Sequence, residues 1–355
     1  MTGARGSGGP AEAGRAAEAG DVAAGRAAAG GVEASRAAEP SRAAEPSRAT
    51  EPSRAFGTAV ARFPLPSPID LPRTLAPLGH GRDDPTIRFA RDGIWIARAT
   101  AAGPATLRLA AEPGELVAEA WGPGAQLAVE AAPGLAGLLD DPLALVPQHP
   151  VIRDLARRFA ALRLPRTGQL LAALIPAVTE QKVTATEAHA AYGALVRRLG
   201  RAAPGPVALL LPPDAADLTA LLYFEFHPLG LERRRAELLR RIGREGPRIE
   251  SWTALEPAEA RARVQTIDGI GPWTAAEATR LAFGDPDAVS LGDAHIPDMV
   301  SWALAGEPRA DDRRMLELLA PYAGQRARVV RLLEISGIKI PRYGPRFSPR
   351  RIAGI

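Results

Sequence analysis

The sequence predicts a mainly α protein. An all-α domain over 147–355 follows a small β-rich (α+β) domain over 56–146 and a disordered tail over 1–55. Three observations lead there. Near Phe56 the composition shifts from a low-complexity mixture of Ala, Gly, Ser, Pro, Arg and Glu to one with branched and aromatic side chains. Between Phe56 and Val146, apolar residues occur in short extended runs separated by Pro and Gly. From Pro147 onward, apolar residues recur at helical spacing. At about 150 residues per domain, a chain of 355 residues is expected to hold two domains or three.

From Ser35 the hexad Ser-Arg-Ala-Ala-Glu-Pro repeats as far as Arg54, with Thr50 in place of one Ala. A proline in every hexad breaks any helix. The segment has too few side chains to bury to offset its ordering entropy, so it is predicted to be disordered. A period of six is too short for a solenoid.

In the next segment, Ile87 and Phe89 alternate with polar neighbours, Asp92-Gly93 marks a hairpin, and Ile94-Trp95-Ile96 resumes an extended run. Leu107-Arg108-Leu109 and the run from Leu116 to Trp121 supply further strands. Then Val151, Ile152, Leu155, Phe159 and Leu162 share one helix face, and Ala188, Tyr192, Leu195, Val196 and Leu199 share another. Further helices are predicted over 168–179, 214–224, 231–243, 257–265, 272–283, 294–305, 312–320 and 324–336. Together they suffice for a sizeable all-α core.

Composition excludes several chemistries. The chain has no cysteine, which rules out disulfides, thiolate zinc sites, cysteine nucleophiles and a Cys-ligated iron–sulfur cluster. No apolar run approaches the roughly 20 residues that cross a bilayer, and the N-terminus lacks the apolar core of a secretory signal. A cytoplasmic protein with no membrane partner is expected. The net charge is +4, which permits a nucleic-acid partner without demanding one. Residues 323–355 carry eight basic side chains against the single acid Glu334. Such a stripe suits phosphate binding, and a solvated tail is the alternative.

The informative stretch runs from Val264 to Ala275, Val-Gln-Thr-Ile-Asp-Gly-Ile-Gly-Pro-Trp-Thr-Ala. A helix ending near Gln265 meets a tight turn, Asp268-Gly269-Ile270-Gly271, and Pro272 opens the next helix. Gly269 and Gly271 let the backbone approach a ligand. The unpaired N–H groups of the new helix suit an anion such as a DNA phosphate. Ile267 and Ile270 would anchor the turn. An ordinary αα-corner with a glycine turn shares these features. About twenty residues further on, Ser290-Leu-Gly-Asp-Ala-His-Ile-Pro-Asp298 places Asp293 as the N-cap of a helix running to Ala305. A plain cap of that kind contributes about 1 kcal/mol.

Together, Ile-x-Gly-Ile-Gly-x-Trp-Thr-Ala, Gly-Asp-x-His-Ile and the upstream Glu180-Gln181-Lys182-Val183-Thr184 resemble the helix-hairpin-helix DNA glycosylase superfamily. Within it, the motifs are most similar to the DNA-3-methyladenine glycosylase II family. The resemblance covers 150–340, and the preceding β-rich domain matches the family's two-part layout. It implies hydrolysis of the N-glycosidic bond of alkylated bases, chiefly 3-methyladenine, in damaged double-stranded DNA, which initiates base-excision repair. Asp293 takes the role of catalytic carboxylate: it stabilises the positive charge that develops on the sugar and directs water. A ring-alkylated base is already cationic and leaves without a general acid.

The resemblance also makes Trp273 a wall of the pocket for the flipped base. Tyr223, Phe226 and Trp302 are candidates for further walls, each with core packing as its other reading. Gln181, Lys182, Gly269, Gly271 and Thr274 become DNA-binding candidates, as do Arg326 and Arg328 of the basic segment. A monovalent cation, Na+ or K+, is implied at the main-chain carbonyls of Gln265, Ile267 and Ile270, and no other cofactor is required. The expected state is a monomer acting on the nucleoid.

Two departures stand out. Glu277 occupies the place of a second pocket aromatic, four residues after Trp273, and this leaves base preference open. Lys182 stands where better-known members place an apolar wedge. Strand-nicking relatives carry a nucleophilic lysine where this chain has Trp273, and its only lysines are Lys182 and Lys339, so a monofunctional enzyme is implied. Two other readings stay open: a non-catalytic module that binds lesions or junctions, and a glycosylase for oxidised or mismatched bases.

Overall fold

The computed structural model describes residues 57–339. The tail expected to be disordered and the Arg342–Arg351 part of the basic segment lie outside the described residues.

The chain opens with β1 (Thr58–Pro64) and a short helix, α1 (Leu71–Leu75). A meander of β2 (Ile87–Ala90), β3 (Gly93–Thr100), β4 (Gly103–Glu112) and β5 (Glu115–Trp121) follows. All five strands pair antiparallel in the order β1-β5-β4-β3-β2. No strand is expected from the sequence over β1, whose inward residues are mostly small (Ala59, Ala61 and Phe63). It is held by pairing along the whole length of β5, from Thr58 opposite Trp121 to Pro64 opposite Glu115. The β2–β3 turn is Arg91-Asp92, one residue earlier than the Asp-Gly signal suggests. Gly93 instead opens β3 at φ +142°, where a Cβ would lie 2.6 Å from the Leu109 carbonyl oxygen. Phe89 shares its face with Ile87 on the edge strand β2, with its ring beside Gly79, and is 46% exposed.

One face of the sheet, with Ile94, Ile96, Leu107, Leu109 and Leu116, packs on α1, α2 (Ala125–Glu130) and α3 (Ala132–Leu135). On the other face Trp95 and Trp121 stack at 5.2 Å, and Leu209 and Leu211 cover Trp95 and Ala97. The covering segment comes from the helical part of the chain, and its Leu210 N–H donates to the Pro85 carbonyl at 2.8 Å. The β-rich segment is therefore roofed by chain from beyond its expected boundary.

Helices fill the rest: α4 (Pro150–Arg158), α5 (Leu170–Thr179), α6 (Ala185–Leu199), α7 (Ala215–Ala220), α8 (Arg233–Arg244), α9 (Gly246–Ser251), α10 (Pro257–Val264), α11 (Pro272–Phe283), α12 (Ile296–Ala305), α13 (Asp312–Leu319) and α14 (Arg326–Glu334). The helix expected over 214–224 is shorter. Asp214 and Asp217 cap α7 reciprocally, and the chain then turns into a 3-10 stretch, Tyr223–Leu229, containing Pro228. Apolar around its whole circumference, α5 is buried. Its first-turn N–H groups at Leu170 and Leu171 donate to the Glu250 carboxylate at 3.2 and 2.8 Å. Burial pushes the Glu250 carboxyl up in spite of those two bonds.

The helices form two cores. From α5 to α11 they surround Leu174, Ile175, Leu195 and Leu239. A second lobe joins α4 to α12, α13 and α14 around Ile152, Val300, Met315 and Val329. No helix of the described residues is long and apolar enough to cross a membrane.

Candidate active site

Between α10 and α11 the chain makes the tight turn foreseen in the sequence. The Ile270 N–H donates to the Ile267 carbonyl at 3.0 Å, Gly269 takes φ +97°, and Pro272 begins α11. Ile267 and Ile270 are buried in the first core. Leu238 of α8 packs behind Gly269, and Arg241 of the same helix clamps the Asp268 carboxylate at 2.7 Å. A Cβ on Gly271 would meet nothing within 4 Å, so this part of the turn is open to an approaching molecule. The loop after α5 is tied to the same turn. The Gln181 side-chain amide donates to the Gly269 carbonyl at 3.2 Å and to the Thr274 hydroxyl at 2.8 Å. Beside it Lys182 is exposed at φ +56°, the single non-glycine residue at positive φ among the described residues.

Asp293 lies just before α12, and both of its oxygens are engaged. Oδ1 accepts from the backbone N–H groups of His295 (2.7 Å) and Ile296 (3.0 Å). The N-cap of α12 is His295 and not Asp293, because the helix starts at Ile296, and Asp293 holds the turn before it. Oδ2 accepts from the Trp273 indole N–H at 3.0 Å. Trp273, in the first turn of α11, is half-buried. The contact joins a carboxylate of the second lobe to an aromatic at the mouth of the hairpin.

Further along α11, Glu277 accepts from the Ser290 hydroxyl and, at 2.5 Å, from Arg280. Burial works against the Arg280 charge, but Glu277, Glu334 and Glu180 raise its pKa above the ordinary arginine value. Glu277, Arg280 and Glu180 border a cavity of about 100 Å³ whose lining includes neither Asp293 nor Trp273. A larger cleft, of about 580 Å³, lies between the 81–89 segment and Arg197 and borders neither Asp293 nor Trp273.

In fold, the chain is similar to the 3-methyladenine DNA-glycosylase of Archaeoglobus fulgidus, at a TM-score of 0.66 and 17% identity, over 77% of this chain and 97% of that one. It is also similar to MBOgg1 in complex with a low-affinity DNA ligand (TM-score 0.62, 12% identity, 79% and 97% covered). A third likeness is to the apo-form of the Clostridium acetobutylicum 8-oxoguanine glycosylase/lyase (TM-score 0.59, 10% identity, 75% and 92% covered). No protein-family model matches the sequence, and no curated protein matches it. The chain has the helix-hairpin-helix DNA glycosylase fold.

On this glycosylase fold the candidate residues sort into two groups. Asp293, Trp273, Gln181, Lys182, Gly269 and Gly271 gather at the hairpin and the start of α12. Others do not join them. Phe226 has no exposed surface and packs in the first core, so it is no pocket wall. Tyr223 is exposed beside Phe224 and under the Arg233 guanidinium, 5.1 Å from its ring centre. Trp302 is half-buried on α12. Thr274 is buried and spends its hydroxyl on Gln181 rather than on DNA. Arg328 is 3% exposed and paired with Asp140, so it cannot reach a phosphate. Arg326 pairs with Asp287, which raises the arginine's pKa.

Around the hairpin, the carbonyls of Gln265 and Ile270 accept no hydrogen bond among the described residues. Like the Ile267 carbonyl, they are oxygen donors, the type a hard cation prefers. The residues of this site that the sequence did not single out are Ser290, Arg241 and Arg280. Arg280 had a legible signal, since it follows Trp273 by two helical turns on one face of the 272–283 helix.

Proposed function

We propose that this chain is a monofunctional DNA glycosylase that hydrolyses the N-glycosidic bond of alkylated bases, chiefly 3-methyladenine, in duplex DNA. It would act as a monomer in the cytoplasm and begin base-excision repair. The observation that carries the reading is the Asp293–Trp273 contact, which pairs a fixed carboxylate with an aromatic face at the open side of the hairpin.

The backbone of the damaged strand would lie against Gly271 and the free N–H groups at the start of α11. A Na+ or K+ held by the carbonyls of Gln265, Ile267 and Ile270 would add positive charge beside the same phosphate. The Lys182 stem enters the gap left by the flipped nucleotide, and the base rests against Trp273. As the C1′–N bond breaks, its electron pair goes to the departing cationic base, which becomes neutral. Asp293 stabilises the sugar cation and takes a proton from the water that adds to C1′. Trp273 offers no amine, so the strand stays intact.

The test is base release from alkylated duplex DNA, with the freed bases identified by mass. The wild type should release 3-methyladenine, leave an unbroken abasic strand and give no borohydride-trapped adduct. Asp293→Asn should keep its fold and its DNA affinity while losing roughly 10²–10³-fold in excision rate. Near-wild-type excision by the variant would remove Asp293 from the chemistry. Equal lesion binding by both proteins with no base released would favour a non-catalytic lesion-binding module.

A further inference from the structure

The edge strand β2 has a backbone pattern set by its register with β3. One step beyond the Ile87–Ile96 pair, the Thr86 carbonyl accepts the Ala97 N–H at 2.8 Å. In an antiparallel ladder Thr86, Arg88 and Ala90 then turn their backbone groups toward β3, and Pro85, Ile87 and Phe89 turn theirs outward. The Leu210 N–H takes the Pro85 carbonyl, and among the described residues the outward groups of Ile87 and Phe89 have no such partner. This edge borders the cleft of about 580 Å³ between the 81–89 segment and Arg197 of α6. Arg82, Arg88 and Arg197 line the cleft, and none of them has a carboxylate partner among the described residues. Arg88 reaches the Ala208 carbonyl at 3.3 Å and Arg197 the Asp83 carbonyl at 2.7 Å. Of the two acids in the lining, Asp84 is buried and spent on the His80 N–H and on Thr86. Three guanidiniums thus face one uncommitted carboxylate, that of Asp83.

A DNA backbone offers only acceptors and would leave the outward carbonyls of Ile87 and Phe89 unpaired. A second copy of this edge would set arginine against arginine. A peptide backbone supplies donors and acceptors in alternation, and acidic side chains on it would answer the guanidiniums. We propose that β2 and this cleft are a docking site for an extended acidic segment of a partner protein, which adds to the sheet as a sixth strand. Its backbone pairs with Ile87 and Phe89, and its carboxylates meet Arg82, Arg88 and Arg197. The four residues of β2 span about 13 Å, so the paired stretch is short and the charges must supply much of the specificity. The site shares no residue with the hairpin or Asp293, and it stands independently of the glycosylase reading.

The experiment follows a fluorescent Glu-Val-Glu-Val-Glu peptide by anisotropy as the full chain is added at physiological ionic strength. The wild type should bind it. A fully N-methylated version, equal in charge but without N–H donors, should bind at least about tenfold more weakly. Arg88→Ala and Arg197→Ala should each weaken binding about threefold or more. Phe89→Pro removes an outward N–H without touching a bond to β3, and should weaken binding more than Phe89→Ala does. Base release from damaged DNA should be unchanged in all four variants. If Phe89→Pro does not fold, the N-methylated peptide decides the role of the backbone. No binding of the parent peptide, equal binding of the N-methylated one, or full binding by both arginine variants overturns the inference. Displacement of the peptide by a single-stranded oligonucleotide that needs the same arginines also overturns it, and would make the cleft a nucleic-acid site.

Discussion

Asp293 is fixed from two sides. Two backbone N–H groups tie Oδ1 to α12, and one indole N–H ties Oδ2 to α11, so its placement depends on both helical lobes. Trp273→Phe keeps an aromatic face for the base but removes the donor. Losing a hydrogen bond to a charged group costs roughly 1.5–3 kcal/mol, so kcat should fall about tenfold or more with KM nearly unchanged. Steady-state excision kinetics check this, and a wild-type kcat would mean that the indole N–H does nothing for Asp293. Each was singled out in the sequence by a motif of fixed spacing, and the structure brings the two side chains together. Thr274, one position from Trp273, was misread because a motif shows adjacency but not which way a side chain turns. Arg328 was misread for a related reason. In a basic run it looks like solvent charge, and Asp140, its partner, is remote in sequence.

At the scale of elements, the start of α14 depends on a residue from another loop. Asp287 accepts from the backbone N–H groups of Gly324 (2.9 Å) and Arg326 (3.0 Å) and from the Arg326 guanidinium. Burial alone would raise the Asp287 carboxyl, but Arg326 and these backbone bonds hold it below the ordinary value of 3.8. A folded-state pKa below the unfolded one means that the stabilisation is present above the ordinary carboxyl range and is lost as pH falls through the folded value. Asp287→Ala should therefore cost about 2 kcal/mol at neutral pH, and its gap from wild type should close below the carboxyl range. Urea unfolding at a series of pH values measures the gap, and a constant gap would contradict the assignment. The helices themselves were legible because their apolar spacing is local. β1 was not, because its small inward residues carry little signal and what holds it is pairing with a strand far along the chain.

For the molecule as a whole, the basic excess must be located again. Arg326 is paired and Arg328 is buried; Arg263, though paired with Glu259, keeps 54% of its side chain exposed, and the Arg342–Arg351 group lies outside the described residues. Each phosphate contact gives roughly 0.9 log unit of affinity per log of salt. Deleting 341–355 should flatten that slope, whereas Arg328→Ala should lower stability and leave the slope alone. Deleting 1–55 should change neither affinity nor excision. Salt titrations of DNA binding by the three proteins settle it, and an unchanged slope after the C-terminal deletion would mean a merely solvated segment. The two-lobed arrangement has a consequence for how each copy comes into being. During synthesis α4 emerges early, yet its packing partners are the last three helices, with the whole first core between them. Closing so long a loop is slow, and the lobe that carries Asp293 is completed last. A nascent chain thus owns its hairpin and Trp273 before it owns a positioned Asp293 carboxylate.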